Sequence, residues 1–129
     1  MGAIKGLHHV ALKVVPEKYE AVIDFYQNFL ELPLIRRAPG CVMLDLGNTI
    51  LEIIHQDDIT FDRSGCLDHI ALCVAKDDVD AMIEKVRAAG FKVTMEPNDL
   101  DFGCEPHYAA RIAFFEGLYG ESVEFFAEI

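Results

Sequence analysis

A chain of 129 residues with 52% hydrophobic content can bury one core and is too short for two independent domains. Its 11 Lys and Arg against 22 Asp and Glu leave a net charge of −11, which repels nucleic acid and anionic membranes and argues against either as a partner. No run approaches the ~20 apolar residues of a membrane span, and Met1 to Lys13 lacks the apolar core of a signal peptide. A cytoplasmic location is therefore expected, with Cys41, Cys66, Cys73 and Cys104 as free thiols. In chain order, a strand over Leu7 to Val14 precedes a helix from Pro16 to Leu30, with Val22, Tyr26, Phe29 and Leu30 at helical spacing. Leu34 to Arg37 is a weaker strand candidate. Cys41 to Leu46 and Thr49 to His55 flank a Gly47-Asn48 turn. A linker over residues 56–65 leads to a strand over Leu67 to Val74. The helix after it, Asp77 to Ala89, stops at Gly90 and has Asp77 or Asp78 as its cap. Strands over Lys92 to Met95, Ala110 to Phe115 and Ser122 to Ala127 complete the chain, with a loop from Pro97 to Tyr108 between the first two.

The order repeats. Leu7-His8-His9-Val10-Ala11-Leu12-Lys13-Val14 and Leu67-Asp68-His69-Ile70-Ala71-Leu72-Cys73-Val74 agree at five of eight positions, sixty residues apart. Each half reads β-α-β-β-β, so the expected fold is α+β: one domain, 1–129, of two tandem βαβββ modules spanning about 5–56 and about 66–127.

Strand parity then singles out four side chains. Alternate residues of a strand face opposite sides. With Val10, Leu12 and Val14 packed on the helix, His9, Ala11 and Lys13 face away from it, and His69 repeats His9 in the second copy. The last strand of each module carries one carboxylate in an apolar run, Glu52 in Ile50-Leu51-Glu52-Ile53-Ile54 and Glu124 in Val123-Glu124-Phe125-Phe126. A lone strand histidine is ordinarily structural, and a lone strand glutamate ordinarily sits on a solvated face. Two of each at matching places in a repeat favour a shared cation, because a buried carboxylate is costly unless paired or metal-bound. The donor set suits Ni, Co or Zn, with Mn and Fe as further options. His8 corresponds to Asp68 rather than to a histidine and is expected on the surface or near the helix side. His55 is expected to be structural and His107 solvent-exposed.

These residues, together with Phe25-Tyr26 and Gly120-Glu121-Ser122-Val123-Glu124, resemble the vicinal-oxygen-chelate superfamily over nearly the whole chain. The resemblance implies curled mixed sheets around one metal held by His9, Glu52, His69 and Glu124. It also implies a homodimer in which His9 and Glu52 of one chain meet His69 and Glu124 of its partner. Members with three metal ligands include extradiol dioxygenases and fosfomycin-resistance enzymes, and bleomycin-binding members lack the metal set. Filled at all four positions, this chain is similar to glyoxalase I (lactoylglutathione lyase) and to methylmalonyl-CoA epimerases. Both remove a proton beside a carbonyl and pass through a metal-bound enediolate or enolate. The resemblance thus implies a lyase/isomerase acting on a 2-oxoaldehyde–thiol hemithioacetal, with Glu124 as the base and Glu52 staying bound or returning the proton. The alternatives are an epimerase-like enzyme and a drug-sequestering binding protein. Bacterial glyoxalases place Arg and Asn where Lys13 and Gln56 stand, so these two are the substrate-binding candidates, although Lys lacks the planar fork of Arg. The Pro97–Tyr108 loop has no Lys or Arg and is a poor cradle for a coenzyme A phosphate.

Overall fold

The computed structural model describes residues 2–29, 31–55, 57, 65–117 and 120–129. Eight strands form one sheet: β1 (Gly6–Val14), β2 (Leu34–Ala38), β3 (Cys41–Asp45), β4 (Ile50–His55), β5 (Leu67–Cys73), β6 (Val93–Asp101), β7 (Ala109–Glu116) and β8 (Ser122–Glu128). Their order is β2-β3-β4-β1-β5-β8-β7-β6, and the sheet curls into a half-barrel. Within each module the first strand pairs in parallel with the last, β1 with β4 and β5 with β8. The β1–β5 seam is antiparallel and joins the modules.

The helices α1 (Pro16–Asp24) and α2 (Asp78–Ala88) cover the convex face. Parity explains the packing. Leu12, Val14, Val42, Leu44, Leu51 and Ile53 meet Ile23 and Val22 of α1. Val74, Ala113, Phe125 and Ala127 meet Val79 and Ile83 of α2. The opposite face is also apolar, with Met43, Ala71, Tyr108, Ala110, Ile112 and Phe126 in one cluster.

Several local expectations are corrected. The first helix does not run regularly to Leu30: α1 gives way to a π-helical turn at Phe25–Phe29, and Leu30 lies outside the described residues. Val22 and Tyr26 of the expected stripe pack on the sheet, whereas Phe29 is 74% exposed. β6 runs through Pro97 to Asp101, where a loop was expected. It is an edge strand whose register shifts between Met95 and Asn98, which is where a proline costs the ladder least. The Gly47-Asn48 turn spans four residues rather than two. The Gly47 N–H donates to Asp45 Oδ1 at 2.7 Å, and Gly47 takes a φ of +98°. Asp77 stands at the cap of α2 without a side-chain capping bond. All four cysteines are free. No helix among the described residues is long and apolar enough to cross a membrane.

Candidate metal centre

The four central strands, β4, β1, β5 and β8, each contribute one buried polar side chain. These are Glu52, His9, His69 and Glu124, with 6%, 1%, 6% and 3% exposure. Register brings them together. Ala11 lies opposite both Glu52 and His69, and Ala71 lies opposite both His9 and Glu124. His9 Nε2 is 2.9 Å from His69 Nε2, 3.1 Å from Glu52 Oε2 and 3.2 Å from Glu124 Oε1. His69 Nε2 is 3.0 Å from the same Glu124 oxygen. All four side chains come together within one chain.

The donor chemistry fits a cation. Separations of 2.9–3.2 Å leave these donor atoms close enough to share one ion. Glu124 Oε1 is buried with no donor aligned on it, although two imidazole nitrogens lie beside it. The donor atoms of His9, Glu52 and His69 all lie within 4.8 Å of one another. Imidazole nitrogen and carboxylate oxygen together suit first-row divalent metals.

Neighbouring groups tune the set. Burial disfavours the His69 imidazolium, but Asp68 and Glu124 outweigh it and raise its pKa to about 9. Burial raises the Glu52 carboxyl above the usual range despite the two histidines. Glu124, equally buried, is lowered because His69 and His9 together outweigh desolvation. Burial, then Glu52, raises the Cys41 thiol, which therefore stays protonated and donates to Glu52 Oε1 at 3.8 Å. That leaves Glu52 Oε2 for the cluster.

Beside both His9 and His69 the ladder carries a β-bulge. Leu7 pairs with Leu72 and His9 with Ala71, so His8 is the extra residue. Leu67 pairs with Leu12 and His69 with Ala11, so Asp68 is the extra residue. A bulge re-aims its side chain. Asp68 Oδ2 sits 2.7 Å from His69 Nδ1, and His8 Nδ1 sits 2.9 Å from His9 Nδ1. His8 thus leaves the surface and helix side expected from parity and packs on Phe126, ring centroids 4.1 Å apart. The sequence signal was the His8/Asp68 match within the repeat, two hydrogen-bonding residues directly before His9 and His69.

The cluster opens into a cleft of about 480 Å³, walled by Ile54, Met95, Leu100, Phe102, Phe114 and Phe126. Lys13, half-buried at the end of β1, is not among its lining residues, and Gln56 lies outside the described residues. His55 reaches the cleft and packs edge-on against Tyr19 of α1. His107 is exposed, 3.7 Å from Asp101.

The family model of the Glyoxalase/Bleomycin resistance protein/Dioxygenase superfamily matches residues 6–125. The chain belongs to this superfamily. Its relatives in this superfamily include the lactoylglutathione lyases of Neisseria meningitidis serogroups A and B. Each is 32% identical over 130 aligned positions, covering 92% of this chain and 88% of the relative. Among solved structures, methylmalonyl-CoA epimerase from Mycobacterium tuberculosis superposes with a TM-score of 0.74 at 18% identity, covering 100% of this chain and 91% of that one. The Mn(II)-bound glyoxalase from Novosphingobium aromaticivorans gives 0.74 at 20% identity, covering 99% of this chain and 41% of the other. At these identities the structural likeness speaks for the fold alone. The superfamily is one of enzymes and binding proteins for small molecules, and the His9–Glu52–His69 cluster is its candidate divalent-metal site here.

Proposed function

We propose that the two modules act as one unit that holds a divalent cation on His9, Glu52, His69 and Glu124 and catalyses a glyoxalase I-type reaction. The substrate would be the hemithioacetal of a 2-oxoaldehyde and a thiol, rearranged to a 2-hydroxyacyl thioester. The observation that carries this reading is the convergence of two imidazoles and two carboxylates at 2.9–3.2 Å in one apolar cleft. The 32% identity to lactoylglutathione lyases supports the choice within the superfamily.

When bound, Ni, Co or Zn would supply Lewis acidity toward adjacent substrate oxygens. The chain's residues do the rest. Glu124, buried in the cleft beside His9 and His69, takes the carbon-bound proton as general base. Glu52, with its raised affinity for a proton, stays in place or returns that proton to the neighbouring carbon. The aromatic walls exclude bulk water and so protect the carbanionic charge from stray protonation.

The test is NMR in D₂O with protein reloaded with Ni, Co or Zn. Conversion of the methylglyoxal–glutathione adduct to a lactoyl thioester, lost in Glu124→Gln, supports the proposal. Exchange only at the malonyl carbon of methylmalonyl-CoA would move the reaction to the epimerases. Tight ligand binding without turnover would make the protein a sequestering member.

A further inference from the structure

We propose that His8, backed by Glu128, is the positioning residue for His9. It would hold that imidazole in the tautomer a metal requires, as Asp68 does for His69. The inference rests on the metal reading above and extends it to residues outside the four ligands.

The argument starts from the two bulges. Each places the residue before a ligand histidine outside the ladder and turns its side chain onto that histidine's Nδ1. For His69 the partner is a carboxylate oxygen, which can only accept, so Nδ1 keeps its proton and Nε2 is the nitrogen that a cation would take. For His9 the partner is another imidazole nitrogen, which either accepts or donates, and the surroundings decide between the two. Glu128 Oε1 lies 3.5 Å from His8 Nε2. A carboxylate there favours the proton on Nε2 of His8, which leaves His8 Nδ1 as a lone pair. That lone pair accepts from Nδ1 of His9, and His9 Nε2 is then free of hydrogen where it meets His69, Glu52 and Glu124. The opposite tautomer of His8 would set two N–H groups against each other across 2.9 Å.

His8 is also held mechanically. Thr49 Oγ1 donates to its carbonyl oxygen at 2.8 Å, and Phe126 packs against its ring at a tilt of 36°. Residues in this relation to a metal ligand typically change affinity by about 10- to 100-fold when removed. The modules have thus reached one solution with two chemistries, a carboxylate in the second and a neutral imidazole backed by a carboxylate in the first.

The experiment measures zinc and cobalt affinity by chelator competition on the full chain, with the Co(II) absorption spectrum as a reporter of ligand geometry. His8→Phe keeps the packing on Phe126 but cannot accept a hydrogen bond. It is expected to weaken affinity about 10- to 100-fold and to shift the Co(II) bands with the fold intact by circular dichroism. His8→Asp installs the second module's solution and is expected to recover most of the loss. Glu128→Ala, at a half-exposed position that tolerates change, is expected to give a smaller loss in the same direction. Equal affinity and an unchanged spectrum in His8→Phe and Glu128→Ala would overturn the inference alone. An unaltered chain that takes up no cation would overturn the metal reading itself. If His8→Phe does not fold, Glu128→Ala decides: unchanged affinity overturns the inference.

Discussion

Ala11 sits between Glu52 and His69 in the same register as Ala71 sits between Glu124 and His9, and both alanines are fully buried. Two residues after each histidine, the chain therefore places its smallest chiral side chain on the cleft face. A larger one would project into the space where the four polar atoms meet. Ala71→Leu is expected to abolish metal uptake, measured as metal per chain after dialysis. The accompanying loss of stability should be about 1–3 kcal/mol, the usual effect of overpacking. Full metal occupancy in Ala71→Leu would show that the alanines do not define the site.

The pH dependence of the metal-free protein follows from the displaced groups. His69 is raised from its ordinary 6.5 to about 9. Its contribution is therefore fully present below about pH 6.5 and is lost as pH climbs through 9. Glu124 is lowered, so its contribution is present above the ordinary carboxylate range and is lost as pH falls below it. Glu52, raised by burial, subtracts from stability above that range. Thermal melts of chelator-treated protein should show Tm falling from pH 6.5 to 9.5. Zinc should offset that fall, with a larger rise in Tm at higher pH because the cation no longer competes with the His69 proton. A flat metal-free Tm across this window would contradict the coupling of His69 to Asp68 and Glu124.

Removing the Asp68 carboxylate should weaken the site from the second module. In Asp68→Ala, His69 loses the acceptor at 2.7 Å that fixes its Nδ1 proton. Metal affinity by chelator competition is expected to fall by about 10- to 100-fold. An unchanged affinity would make the contact incidental.

The sheet depends on its helices. Ile83 is fully buried in the cluster joining α2 to β7 and β8. Ile83→Ala should cost about 2–5 kcal/mol in urea unfolding. β8 carries Glu124, so metal affinity in the same variant should fall as well. A loss below the lower bound with unaltered affinity would mean that α2 does not support the site.

Much of this was legible in the residues. The sixty-residue repeat gives the βαβββ order, and strand parity puts His9, Glu52, His69 and Glu124 on one face. β1 and β5 keep the alternation from His9 and His69 onward, and β4 and β8 keep it through Glu52 and Glu124. What escaped is local backbone irregularity. Parity assigned His8 to the wrong face because it assumes an unbroken ladder, and the bulge re-aims that residue. Pro97 read as a loop marker because a proline inside a strand is tolerated only at an edge, and edge status is a property of the whole sheet. The π turn at Phe25–Phe29 leaves Phe29 exposed, although its spacing from Val22 and Tyr26 reads as one continuous apolar stripe. The thiol of Cys41 beside Glu52 arises from the β3–β4 pairing, and no local motif marks it.

The central claim is that one chain gathers four ligands for one cation. The most direct measurement is titration of metal-free protein with Co(II), comparing the unaltered chain with His69→Ala and Glu124→Gln at pH 7.5. The account predicts one cation per chain. Affinity should fall at least tenfold in each variant. No uptake by the unaltered chain, or equal uptake by His69→Ala, would contradict it.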